Sequence, residues 1–261
     1  VFIARIGFTP LKGGRHLTHD LAELTLAGPV GDRVFALVDR SRGRVLRTVE
    51  NPSLLRACPR WEAGVLSVVL QGRLIEGVPS DSSETFSVDY WGRTAVLQGC
   101  AGPWAEAYSQ YLGYDVVLCR SVTAGDVVYG ASVTVVTTAS MQLLSERLGR
   151  RVDSARFRST FLIDADDSPS HVEDSWVGRE LRAGDATVRV RGLVPRCAVV
   201  DLDPVSGRSD VAVLRELAEY RGSEAEINFG VDAVVTVAGH VGTGDQVLLG
   251  NSASLSSGAA R

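Results

Sequence analysis

The chain reads as a mainly β protein with a few helices, an α+β fold, and three observations carry that reading. Short apolar, β-branched runs recur at close spacing between turns rich in Gly, Asp and Ser, which is the pattern of a sandwich or barrel. Stretches with helical periodicity are few. Strands and helices do not alternate regularly, which argues against a doubly wound parallel sheet.

The expected elements follow in order. Residues 1–8 form a first strand, then 24–26, then 33–39 before the turn Arg40-Ser41-Arg42-Gly43. Residues 65–70 run into Gln71-Gly72, and 94–97 stop at Gly99. A helix is expected over 102–112, with Pro103 in its first turn and Gly113 just past its end. A strand at 115–118 and a loop at 123–130 precede the apolar run 132–136. Residues 138–148 carry Met141, Leu144 and Leu148 at helical spacing and end at Gly149, so they read as a helix. Strands are expected at 161–164, 186–190 and 198–200, a helix at 211–220, and closing strands at 231–238 and 246–249. The segment 251–261, rich in Ser, Gly and Ala, is expected to be disordered.

Composition narrows the function classes. With 261 residues, 45% apolar and 22% charged, the chain has the make-up of an ordinary soluble globular protein. A formal net charge of −4 supplies no basic footprint, so no nucleic-acid partner is expected. No apolar run approaches the ~20 residues of a membrane span, and no secretory leader is seen, so a cytoplasmic location is expected. Cys58, Cys100, Cys119 and Cys197 are widely scattered, without zinc-ligand spacing, and read as free thiols. The first three fit small buried hydrophobes.

Cys197 is different. It follows Pro195-Arg196 and precedes Asp203-Pro204-Val205-Ser206-Gly207, a reversal in which Gly207 can take positive φ. A neighbouring cation favours thiolate, the form that ligates soft metals or attacks electrophiles. Lys12, the single lysine among 27 basic residues, sits in the turn Lys12-Gly13-Gly14. It is either an anion-binding point charge beside exposed backbone N–H groups or a solvated hairpin lysine. Arg33 in Gly31-Asp32-Arg33 is either a phosphate clamp or half of a structural ion pair. Arg156-Phe157-Arg158-Ser159-Thr160 can cradle an anion, or place charges at a helix end and in a polar loop. Glu173 and Asp174 are candidates for acid–base work or for orienting those arginines. His16, His19, His171 and His240 have no ligand spacing and read as surface or structural residues, His171 lying near Glu173 as a candidate lining residue.

Taken in order, these segments resemble the MOSC family, named for the C-terminal domain of molybdenum cofactor sulfurase and including the mitochondrial amidoxime-reducing component. The resemblance runs through Phe8-Thr-Pro-Leu-Lys12, Leu24-Thr25, Gly31-Asp32-Arg33-Val-Phe35, then 133–148, Phe157-Arg158, Glu173-Asp174-Ser175-Trp176, Arg196-Cys197, Asp203-Pro204-x-x-Gly207, Asn228-Phe229-Gly230 and Val241-Gly-Thr-Gly244-Asp245. It implies an N-terminal β-barrel-like domain over 1–120 packed on a MOSC β-barrel over 121–250. It also implies a molybdenum cofactor (molybdopterin) with Cys197 as the protein's metal ligand. Lys12, Arg33 and Arg158 would hold the pterin phosphate, with Gly13, Ser159, Thr160 and Arg196 around them. Glu173 and Asp174 would shape the substrate side. Three segments depart from the family pattern. Lys12-Gly13 stands for the usual Lys-Ser, Arg158-Ser159-Thr160 for Arg-Pro-Asn, and Arg47-Thr48-Val49-Glu50 lacks the usual arginine in register. The implied activity is an oxidoreductase reducing N-hydroxylated or related N–O and S–O small molecules, fed by separate electron-transfer proteins. The alternatives are a cofactor-free biosynthetic enzyme using the same anion-binding cleft, or a carrier of persulfide on Cys197.

Overall fold

The computed structural model describes residues 1–222 and 226–250, so the expectation for 251–261 lies outside the described residues. Strand makes up 45% of the structure, with three α-helices among the described residues, and the class is mainly β. These helices are α1 (Trp104–Leu112), α2 (Thr138–Arg147) and α3 (Val213–Arg221).

The first half is built on a five-stranded sheet. Its order is Ser80–Tyr90, Arg93–Ala101, Val116–Ser121, Phe35–Asp39 and Arg44–Val45. A three-stranded meander, Cys58–Glu62, Val65–Leu70 and Arg73–Gly77, accompanies it. Between them lies a core of Leu11, Phe35, Leu37, Leu54, Leu66, Val68, Trp104 and Tyr108, the last two coming from α1. Gly113 ends α1 in the left-handed region (φ 81°), where a residue without Cβ is unstrained.

The second half forms an eight-stranded sheet whose edge pair comes from the chain's beginning. Phe2–Phe8 pairs antiparallel with Phe161–Asp164 on one side and Leu17–His19 on the other. Leu21–Thr25 pairs with Gly239–Gly242. Relative to a division into 1–120 and 121–250, Phe2–Phe8 and Leu17–His19 therefore complete the later sheet, and Leu21–Thr25 joins Gly239–Gly242 in a separate three-stranded sheet.

Helices α2 and α3 cover that sheet through a separate apolar cluster of Met141, Leu144, Phe157, Val200, Val213, Leu217 and Phe229. Phe157 stacks on Phe229 at 4.3 Å. Arg158 and Cys197 thus each sit within three residues of a side chain anchored in that cluster.

Two expectations change. Residues 198–200 are not a strand but part of a 3₁₀ turn, Ala198–Asp201. The ladder of Ala186–Pro195 ends at the proline, and the Cys197 carbonyl then accepts from Val200 N at 3.1 Å. A three-residue apolar run has no period by which to tell the two apart. The eleven-residue strand Ser80–Tyr90 has no counterpart in the expected elements, because Ser, Asp, Glu and Thr fill most of its length.

Candidate functional site

The site is assembled from loops that two backbone clamps hold together. Arg33 N donates to Thr9 O at 2.7 Å, Phe35 N to Pro10 O at 2.8 Å and Lys12 N to Phe35 O at 2.8 Å. These bonds fasten the 9–12 loop to 33–35, and Asp32 adds a carboxylate that accepts from Thr9 N and pairs with Arg33 at 3.3 Å. Lys12 and Arg33 are brought together in this way. Arg158 reaches them from the second half, donating through Nη1 to Gly14 O at 2.9 Å.

Charge at this meeting point is unbalanced. Burial, Arg33 and Arg158 all push the Lys12 ammonium well below its ordinary pKa, and only Asp32 among its principal neighbours opposes them. Part of the lysine's surface stays open, but its charged end lies deep among protein atoms and 4.8 Å from the Tyr90 ring. Burial and Arg33 likewise push Arg158 down to about 10, against Asp32. Arg33 and Arg158 both occupy the left-handed region (φ 47° and 51°), a conformation costing about 1–3 kcal/mol that tends to be found at ligand clamps. Gly13, beside Lys12, has φ 85°, and a Cβ there would come within 2.9 Å of Leu54 Cδ1, so glycine suits this turn.

Arg47 faces the same lysine, adds to its depression and is paired with Glu50. His16, which pattern alone placed among surface or structural residues, is 7% exposed, lies 3.4 Å from Arg5 Nη1 and feels the charges of Arg158 and Arg33. Its position four residues after Lys12 in a Gly-Gly turn was the available signal.

Ser159 is fully buried and its Oγ has no protein partner, while Arg158 Nη2 is buried and equally unpaired. Thr160 is engaged elsewhere: its Oγ1 accepts from Thr134 N, and its own N–H donates to Thr134 Oγ1, both at 3.1 Å. That reciprocal pair stitches two strands and leaves the Thr160 side chain little freedom to serve a ligand.

Cys197 is exposed at the start of its 3₁₀ turn and makes no side-chain capping bond. The other thiols behave differently. Cys100 and Cys119 are buried, which pushes them up to about 11 and about 12. Arg196 links Cys197 to the cation cluster, donating through Nη1 to Phe157 O at 3.0 Å and through Nε to Phe229 O at 2.8 Å. Burial holds Arg196 down at about 10, with Cys197 and Glu173 acting the other way.

Glu173 has no exposed surface. Its Oε2 accepts from Thr137 Oγ1 and Ser140 Oγ, both at 2.8 Å, at the N-terminus of α2, where the helix dipole favours an anion. The geometry makes it a positioning group for α2 and Arg196. Asp174 is held by Arg221 at 2.6 Å. Beside it, burial and then Arg221 push His171 down to about 4, against Asp174. An unfolded histidine takes up its proton near pH 6.5, before the folded one does. Stability should therefore be full above that pH and fall as pH drops from about 6.5 to 4. Denaturation midpoints followed over that range should decline less in His171→Gln than in the wild type.

The turn after Cys197 locks the two halves together. Asp203 Oδ1 accepts from Ser206 N at 2.6 Å, and Gly207 has φ 69°, where a Cβ would lie 2.1 Å from Pro52 O. Arg56 Nε donates to Ser206 O at 2.9 Å across the same seam.

Residues 120–248 match the family model described as the MOSC domain. The second half of this chain is a MOSC domain. No curated protein matches the sequence. Solved structures to which this chain is similar include the following two. The YuaD protein from Bacillus subtilis is 10% identical, with 95% of this chain and 94% of that chain covered and a TM-score of 0.46. YiiM from Geobacillus stearothermophilus is 16% identical, with 46% of this chain and 55% of that chain covered and a TM-score of 0.35. The MOSC domain supplies Arg158, Ser159, Glu173, Arg196 and Cys197, whereas Lys12, Gly13 and Arg33 come from outside it. No cluster of three or more His, Cys, Asp or Glu side chains able to hold a metal occurs among the described residues. Of the described residues, no helix is long and apolar enough to cross a membrane.

Proposed function

We propose that the protein is an oxidoreductase that holds a molybdenum–pterin cofactor between its MOSC domain and its first 35 residues, and reduces N–O or S–O bonds of small molecules. The observation that carries this reading is the surplus of partly buried positive charge at Lys12, Arg33 and Arg158, against one neighbouring carboxylate, Asp32. Withdrawing uncompensated positive charge from water is costly, and a phosphate monoester matches both the charge and the unpaired donors Arg158 Nη2 and Ser159 Oγ.

The donor set fits the two ends of the cofactor. Lys12 would contribute a point charge and Arg33 and Arg158 directional N–H groups to the phosphate. Cys197 would ligate the metal, its thiolate suiting a thiophilic centre. Arg196, the residue before it, is fixed by the Phe157 and Phe229 carbonyls. When bound, the group supplies two-electron redox chemistry. Reducing one N–O bond consumes two electrons and two protons and releases the oxygen as water; separate electron-transfer proteins would provide the electrons. Asp174, pinned by Arg221, is the candidate for shaping the substrate pocket. The location this reading implies is the cytoplasm.

The deciding experiment is elemental analysis of protein expressed in a host that makes the cofactor. Molybdenum close to one per chain supports the reading, and molybdenum-free protein from such a host overturns it.

A further inference from the structure

Five buried polar atoms around the cation cluster have no partner in the protein: Arg5 Nε and Nη2, His16 Nε2, Arg158 Nη2 and Ser159 Oγ. Three belong to guanidinium groups, which only donate. The His16 ring can be assigned in the same way. Arg5 Nη1 lies 3.4 Å from His16 Nδ1, and since the guanidinium must donate, Nδ1 accepts and the ring proton resides on Nε2. Burial, Arg158 and Arg5 keep the ring neutral. Four of the five atoms are therefore donors, and the Ser159 hydroxyl can be a fifth.

The ring's seat is also specific. His16 lies directly over Gly7, where a Cβ would meet His16 Cε1 at 2.3 Å and Nδ1 at 2.8 Å. Gly7 N in turn donates to Thr160 O at 2.8 Å, which puts the histidine alongside the 158–160 segment. Arg158 reaches back to Gly14 O, two residues before the histidine.

We propose that His16, oriented by Arg5 and seated on Gly7, is a further ligand of the anion bound by Lys12, Arg33 and Arg158, donating from Nε2–H. The ligand class is a phosphate monoester dianion, whose three terminal oxygens can absorb this many donors. A neutral donor adds direction without adding to the repulsion among the cations. This inference rests on the anion-binding reading of the cradle above, and extends it to a residue outside the MOSC domain.

The test uses the full chain without cofactor and inorganic phosphate as the probe, with binding followed by calorimetry and the His16 ring by ¹⁵N NMR. A lost hydrogen bond to a charged group predicts that His16→Leu binds phosphate about 10- to 100-fold more weakly. His16→Gln, which can offer an amide N–H, should recover most of that loss. In the wild type, phosphate should shift the Nε2 resonance while Nδ1 remains the non-protonated nitrogen. Unchanged affinity in a folded His16→Leu, or an Nε2 resonance indifferent to phosphate, overturns the role of His16. The NMR result decides even if the leucine variant does not fold. Arg158→Met separates the two readings. If it abolishes phosphate binding while His16→Leu does not, only the present inference fails; if the wild type binds no phosphate, the cradle reading fails with it.

Discussion

Cys197→Ala, purified from a host that makes the cofactor, is expected to retain at most about a tenth of the molybdenum of the wild type. Removing groups that merely orient a metal ligand costs about 10- to 100-fold in affinity, and removing the ligand itself should cost no less. The substitution is also clean. Cys197 is exposed, its side chain caps nothing, and the turn it opens is closed by its backbone carbonyl. Thermal stability of the cofactor-free protein should stay within about 0.5 kcal/mol of the wild type. Elemental analysis beside a melting curve separates the two effects. Full molybdenum content in the alanine variant would remove the thiol from the proposed mechanism.

Glu173→Gln should have the largest effect on folding, a loss of about 1.5–3 kcal/mol, as the hydrogen bonds from Thr137 and Ser140 to a buried carboxylate become bonds to a neutral amide. The amide keeps an oxygen to accept from Thr137 and Ser140, so the hydroxyl contacts can survive. What it removes is the negative charge near Arg196, whose guanidinium otherwise rests on the Phe157 and Phe229 carbonyls. Urea denaturation of the cofactor-free chain measures the loss. A change below about 1 kcal/mol would mean that the two carbonyls suffice for Arg196. The prediction also reaches the site, because Arg196 sets the position of Cys197 in the chain and joins it to the segment bearing Arg158.

Several parts of this arrangement were legible in the sequence. Met141, Leu144 and Gly149 mark α2, because helical period and a C-terminal glycine are local signals. The first strand and Phe161–Asp164 were visible as apolar runs, but their pairing with each other was not, since partners 155 to 162 residues apart leave no local trace. Ser80–Tyr90 escaped for the opposite reason: its apolar face is confined to Phe86, Val88 and Tyr90 at one end, and the rest of the strand is polar. In the site, the resemblance singled out Lys12, Arg33 and Arg158 together, which spacing alone does not. Glu173 and His16 were harder to read. Charged and polar side chains are ordinarily taken as solvated, and only three-dimensional packing reveals a carboxylate with no exposed surface and an imidazole sealed beneath arginines.

The crossing of the first strand into the later sheet has a consequence for how such a protein can change. A gene fragment encoding only 120–248 would lack the neighbour of Phe161–Asp164 and two of the three cations at the phosphate end. Exchange of that fragment between relatives would succeed only where the donor's fragment also accepts the incoming strand and the seam at Pro52 and Gly207. Loss of the first 25 residues would likewise open the sheet as well as the site. The two halves are one unit of inheritance.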